Sequence, residues 1–164
     1  MKILYLLVFA SFGAAAASSY ATGKDLPSAM DAYSHAANLR PLRQSGDDEL
    51  RIWSRDYMGG NVEGIVIFKG GALKCYATSN YADGAITVDR AKCRPWHKGQ
   101  DALAGLDDIS LLDGKDWNCP VFDGGEIYVD GVRGGKRFTF RVGNPGFCAD
   151  PDSKMVVELL DRAW

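Results

Sequence analysis

The segment Glu49-Leu50-Arg51-Ile52-Trp53-Ser54-Arg55 decides the fold. Leu50, Ile52 and Ser54 alternate with Arg51, Trp53 and Arg55. A two-residue period is that of a strand, whose successive side chains point to opposite faces. Met58-Gly59-Gly60-Asn61 follows as a turn, and Val62 to Lys69, rich in β-branched residues, reads as a second strand. Gly70-Gly71 supplies the positive φ of a tight hairpin. Ala72 to Ser79 returns as a third strand, with Leu73, Cys75 and Ala77 on one face. After the Asp83-Gly84 turn, Ala85 to Arg90 makes a fourth strand that runs into Cys93.

Beyond Cys93 the period changes. Leu103, Leu106, Ile109 and Leu112 recur every third residue, which predicts a short amphipathic helix with Gly114 as its C-cap. Glu126 to Val132 and Lys136 to Val142 are two more strands joined by Gly134-Gly135, with Phe138, Phe140 and Val142 as an apolar face. Asn144-Pro145-Gly146 breaks that pattern. Asp150 then caps a final helix, with Pro151 at its first position and Val156, Leu159, Leu160 and Ala163 as the buried stripe. The expected fold is α+β: an antiparallel sheet of about six strands with two helices packed on one face.

Four features carry a resemblance: Glu49-Leu50-Arg51-Ile52-Trp53, the Gly-punctuated hairpin after it, Asp130-Gly131, and Asn144-Pro145 ahead of a closing helix. From Glu49 to the C-terminus the chain resembles a class of small exported bacterial proteins with no assigned activity. That resemblance implies no catalytic residue, substrate or cofactor.

The N-terminus reads as a targeting segment. Lys2 is followed by the apolar run Ile3 to Phe12 and the small residues Gly13 to Ala17. This is the order of a secretory signal peptide over residues 1–17, cleaved after Ala17, with Ala16 and Ala21 fitting almost as well. The run is shorter than the roughly 20 apolar residues a membrane span needs. Residues 18–48 read as a leader with one short helix near Pro27 to Asn38, and 49–164 as a single α+β domain that works in the periplasm or as a secreted protein. The chain carries 19 basic and 21 acidic side chains, a formal charge of −2. That balance argues against a nucleic-acid partner and gives no pull toward anionic membranes.

Export bears on the cysteines. Cys75, Cys93, Cys119 and Cys148 all follow the signal segment, and an even count in an exported chain favours disulfides. Three pairings are open. Cys75–Cys93 and Cys119–Cys148 are expected, because each pair sits in or beside neighbouring elements. No C-x-x-C or H-x-x-x-H spacing suggests zinc. Paired cysteines leave no thiolate for the two histidines, His35 and His97, to activate, and no G-x-S-x-G elbow is present.

Asp107, Asp108, Asp113 and Asp116 could supply an acid and a base for a sugar substrate. Aspartates at helix ends are more commonly caps and solvated surface. Asp123-Gly124 and Asp130-Gly131 read as turn chemistry. The four glycine pairs read as hairpin turns, since none precedes a Lys-Ser/Thr and a helix. No cofactor is expected.

One feature stands out. With Leu50, Ile52, Leu73, Cys75, Phe138 and Phe140 facing the helices, alternation places Arg51, Trp53, Arg55, Lys74, Tyr76, Thr78, Arg137, Thr139 and Arg141 on the other face, with Tyr128 from the neighbouring strand. The loop Arg94-Pro95-Trp96-His97-Lys98 has the same basic-aromatic character. A sheet covered on one side is polar on the other, so a solvated face is the plainer reading. Trp, Tyr and Arg are also the residues that most often anchor interfaces. The sequence therefore points to an exported, non-catalytic binding protein, of inhibitor or immunity type against another exported protein. A carboxylate-dependent hydrolase of envelope polymers and a structural protein without a soluble ligand stand beside it.

Overall fold

A computed structural model of the chain describes residues 26–42, 47–56, 60–82, 85–121 and 124–164. The expected signal segment, the start of the leader, Met58-Gly59, Asp83-Gly84 and Asp123 lie outside the described residues.

Three strands follow each other antiparallel, as their alternation requires: β1 (Glu49–Asp56), β2 (Asn61–Phe68) and β3 (Gly71–Ala82). On its other side β1 pairs with β7 (Gly125–Arg133), which turns back into β8 (Lys136–Gly143). That last hairpin closes in two residues because Gly134 and Gly135 both take positive φ, 55° and 79°. Such a turn matches the twist of the strands it joins.

Three further strands lengthen the sheet. β4 (Ala85–Val88) and β5 (Lys92–Trp96) both pair with β3, and β6 (Asp116–Asn118) adds to β8 in parallel. Among the described residues the sheet is thus mixed and eight-stranded, not an antiparallel sheet of about six. β5 and β6 carry weak sequence signals. β5 is Lys-Cys-Arg-Pro-Trp, with no apolar alternation and a proline that only an edge strand tolerates. β6 has three residues.

The two helices expected on one face are there, and a third covers the opposite face, where a solvated surface was the plainer expectation. On one face, Leu50, Ile52, Ile65, Ile67, Val129, Phe138 and Phe140 pack against the helical stretch 100–112 and against α3 (Pro151–Ala163). The stretch 100–112 is a 3₁₀ turn, the four-residue helix α2 (Leu106–Ile109) and a second 3₁₀ turn. An apolar residue every third position is the 3₁₀ period. Asp150 caps α3 as expected, its Oδ1 accepting the Ser153 N–H at 2.8 Å.

The opposite face is covered by α1 (Leu26–Ala36), the helix expected in the leader. Met30 and Tyr33 are fully buried on Trp53, Val62, Val66, Cys75 and Tyr128. Asn38, at φ 52°, closes α1, and the Leu39 N–H donates to the Ser34 carbonyl. Leu73 and Cys75 belong to this second cluster, so they do not share a face with Leu50 and Ile52. The register explains it: Ile67, not Val66, stands opposite Leu50, and Val66 stands opposite Leu73.

Both expected disulfides are present. Cys75 and Cys93 are directly opposed on β3 and β5, and Cys119 and Cys148 tie the end of β6 to the approach of α3.

Each face also holds one glycine under an aromatic ring. Gly64, opposite Trp53, has no room for a Cβ, which would lie 2.2 Å from Trp53 Cε3. Gly131 stands in the same relation to Phe138, at 2.4 Å from Cζ.

Two outcomes are expected. Gly64→Val destabilises the fold by about 1–3 kcal/mol through overpacking, measured by urea denaturation. A chain beginning at Asp47 lacks the α1 cover, so its tryptophan emission shifts to the red and its thermal midpoint falls. An unchanged midpoint would show that α1 contributes nothing to the fold.

Candidate functional site

The sequence singled out one basic-aromatic set, and the structure divides it into a buried part and an exposed part.

The buried part lies between α1 and the sheet. Arg51 is 1% exposed, and so is Trp53; Arg141 is 3% exposed. Arg51 donates to Glu49 Oε1 at 2.8 Å, to Ser34 Oγ at 2.8 Å and to the Arg40 carbonyl at 2.6 Å. Arg141 pairs with Glu126 and with Asp116, its Nε lying 2.7 Å from Asp116 Oδ1. Arg55, half-buried, reaches Ser79 Oγ at 3.0 Å and Glu126 Oε2 at 3.2 Å. Tyr128 donates its hydroxyl to the same carboxylate at 2.9 Å. Arg137, also half-buried, makes a bidentate pair with Asp130 at 2.8 and 2.9 Å. Tyr33 stacks on Trp53 with ring centroids 5.5 Å apart.

The electrostatics of this layer follow from burial. Desolvation raises the Asp130 carboxyl above its ordinary value, against the pull of Arg137. Burial would lower Arg141, but Asp116 and Glu126 more than reverse it. Desolvation also raises the Tyr33 and Tyr128 phenols. Asp130-Gly131 is therefore not a turn: it lies within β7, with Asp130 buried and Gly131 beneath Phe138. Glu49–Arg51 lie two residues apart on one strand and Asp130–Arg137 across one hairpin, but the pairs Arg51–Ser34, Arg55–Glu126 and Arg141–Asp116 join elements distant in sequence, which a lone strand pattern cannot reveal.

The exposed part gathers on β5 and its neighbour β3. Lys92, Arg94 and Pro95 are exposed, as are His97 and Lys98 just beyond. Tyr76, at 37% exposed, stands beside Lys92 in the register. The Arg94 guanidinium lies 5.7 Å from the Tyr76 ring centre and reaches its hydroxyl at 3.4 Å. Lys74 Nζ lies 5.0 Å from the Trp96 ring centre and 5.4 Å from that of Tyr76, and it pairs with Glu63 at 3.1 Å. Burial lowers the Lys74 ammonium, but Glu63 and Tyr76 leave it raised overall. Trp96 is half-buried and anchors the strand by donating Nε1–H to the Ala163 carbonyl at 3.0 Å, with His97 packed against its ring. An open groove of about 580 Å³ runs beside this edge, its charged lining being Glu63, Asp89, Arg90 and Lys92, with Asn61, Tyr76 and Thr78 between them.

Three of the four carboxylates considered for acid–base work are engaged structurally. Asp107 pairs with Arg133 at 2.7 Å, and this pair holds its carboxyl below the ordinary range. Asp113 accepts the Thr139 N–H at 2.8 Å, and Asp116 pairs with Arg141. Asp108 is exposed. Cys119, Cys148 and Asp150 bring ligand atoms within 4.8 Å of one another. The two sulfurs bond each other, however, and the Asp150 carboxylate caps α3. No helix among the described residues is long and apolar enough to cross a membrane. No protein-family model matches the chain, and no curated protein matches it.

The division has measurable consequences. Arg141→Met leaves Glu126 and Asp116 without their shared cation and is expected to cost about 3–5 kcal/mol. Lys92→Ala, on the exposed edge, should stay within about 0.5 kcal/mol of the wild type in the same denaturation assay.

Acid sensitivity is expected from Asp48. It accepts the Gly134 N–H at 2.9 Å and pairs with Arg133, and these contacts hold its carboxyl below the ordinary carboxylate value. A carboxyl depressed in the folded state stabilises above its unfolded value, and that contribution is lost as pH falls through the folded one. Asp48→Asn should therefore flatten the acid limb of the stability curve below about pH 4, read from thermal midpoints.

Proposed function

We propose that this chain is an exported, non-catalytic binding protein that docks an acidic stretch of another exported protein on the β5 edge. An inhibitor or immunity role is the concrete form of that reading. The observation that carries it is the concentration of Arg90, Lys92, Arg94 and Lys98, all exposed, beside the exposed Tyr76 in a chain whose formal charge is −2. Cations over aromatic rings at a rigid edge give a partner both charge and a flat apolar surface. β5 pairs only with β3 among the described residues and is pinned there by Cys75–Cys93 and by the Trp96 anchor. Export is supported by the apolar run that opens the chain and by the pairing of all four cysteines. The engaged carboxylates and the absence of a free cysteine among the described residues favour binding over catalysis.

Poly-L-glutamate serves as the probe. Immobilised wild-type protein should retain it at low ionic strength, with retention falling as salt rises. The double reversal Lys92→Glu with Arg94→Glu should reduce retention by roughly tenfold or more, since long-range attraction depends on local charge. Lys136→Glu with Lys154→Glu, which reverses two exposed charges elsewhere, is the control. Equal loss in both double variants, or full retention in the first, would refute docking at this edge.

A further inference from the structure

We infer that the segment bound at the β5 edge is an extended peptide with an apolar side chain three or four residues from an acidic one, and that it lies across the strands. This rests on the docking proposed above and extends its footprint to a second, apolar cavity.

The register places Ile127, Ser54, Glu63, Tyr76 and Lys92 in a single row across β7, β1, β2, β3 and β5. That row lies at the C-terminal end of α3. A cavity of about 290 Å³ opens there, with Ile127, Leu160 and Trp164 as apolar walls and Ser54, Glu63 and Asp161 as polar ones. Ligand pockets usually span roughly 300–1,000 Å³, so this one suits a single side chain.

Glu63 lines both this cavity and the groove beside β5. Its Oε2 accepts from Trp164 Nε1 at 3.2 Å and pairs with Lys74 at 3.1 Å, so the partition is held in place and its charge is countered. On the far side stand Tyr76, Arg90, Lys92 and Asp89, whose carboxylate accepts from the Thr78 hydroxyl. Lys74 and Arg94 lie on the same face one register step away, so cations outnumber carboxylates there, and an occupant of both halves needs an apolar group at one end and negative charge at the other.

The spacing follows from sheet geometry. The cavity centre lies two to three strands from Lys92 in the register. Strands are about 4.8 Å apart, so the separation is about 10–14 Å, or three to four residues of extended chain at about 3.4 Å each.

The test uses the full folded protein and the peptide acetyl-Gly-Leu-Gly-Gly-Glu-Glu-Gly-amide, titrated to millimolar concentration and followed by NMR. Two altered peptides replace Leu by Ser and both Glu by Gln. Because the changes are in the peptide, folding of the protein is not a variable. The parent peptide should shift the Trp164 indole N–H and the Ile127 methyls together with the Tyr76 and Lys92 amides. The Ser peptide should bind roughly tenfold more weakly and leave Trp164 unmoved. The Gln peptide should lose the shifts at Lys92.

Shifts at Lys92 with Trp164 unmoved by either Glu-containing peptide would overturn the inference while leaving the acidic docking intact. Full affinity of the Gln peptide would overturn the paired footprint. No shift at either place would overturn both this inference and the docking on which it rests.

Discussion

Trp53 is the residue on which the second layer of this structure depends. Its indole lies over Gly64 on the neighbouring strand and beneath Tyr33 of α1. Gly64 leaves the room, since any Cβ there would enter the ring. Tyr33 covers the opposite side and meets Tyr128 edge-on, with ring centroids 5.6 Å apart. This aromatic stack is what draws a helix from before the sheet onto a face that would otherwise be open. With α1 in place, β2 is covered on both sides. Its central run Ile65-Val66-Ile67 divides between the two cores accordingly.

Covering that face has an electrostatic consequence. The strands carry Arg51, Arg141, Glu49, Glu126 and Asp130 on it, and α1 takes them out of water. Each charge is then matched: Glu49 with Arg51, Asp130 with Arg137, and Glu126 with Arg55, Arg141 and Tyr128. Buried pairs of this kind add little net stability compared with apolar packing, because desolvation offsets their attraction. Their effect is in the penalty for wrong pairing. A register slip of one residue in β7 or β8 would leave several charges buried and alone. The raised carboxyl of Asp130 shows how much desolvation remains even with its partner present.

The parts of the fold that were legible in the sequence are those set by short-range patterns. Alternation gave β1 and the β7–β8 hairpin, and Asp150-Pro151 marked the start of α3. The cysteine pairing followed from each pair lying in or beside neighbouring elements. The basic-aromatic set was visible too, but not its division. Alternation says that Arg51 and Trp53 share a face, and it cannot say whether a helix covers them. The helix itself was expected; the signal that it covers this face lay in the spacing of Met30 and Tyr33 and in the unbroken run Ile65-Val66-Ile67, which marks a strand buried on both sides. β5 escaped notice for the opposite reason. Its side chains are exposed, so burial leaves no pattern to read.

That exposure separates how β5 is held from how the rest of the sheet is held. An edge strand without an apolar face gains little from the core and would ordinarily fray. Here the bridge to Cys75 and the indole hydrogen bond of Trp96 fix it covalently and directionally. Lys92, Arg94 and the Tyr76 ring are thereby held in place without being buried. A surface ordered before its partner arrives loses less conformational freedom on binding. The same division separates the buried arginines from the exposed cations despite their shared composition. Those under α1 are matched by carboxylates of this chain, whereas Lys92 and Arg94 stand exposed on β5, with the Arg94 guanidinium beside the Tyr76 ring.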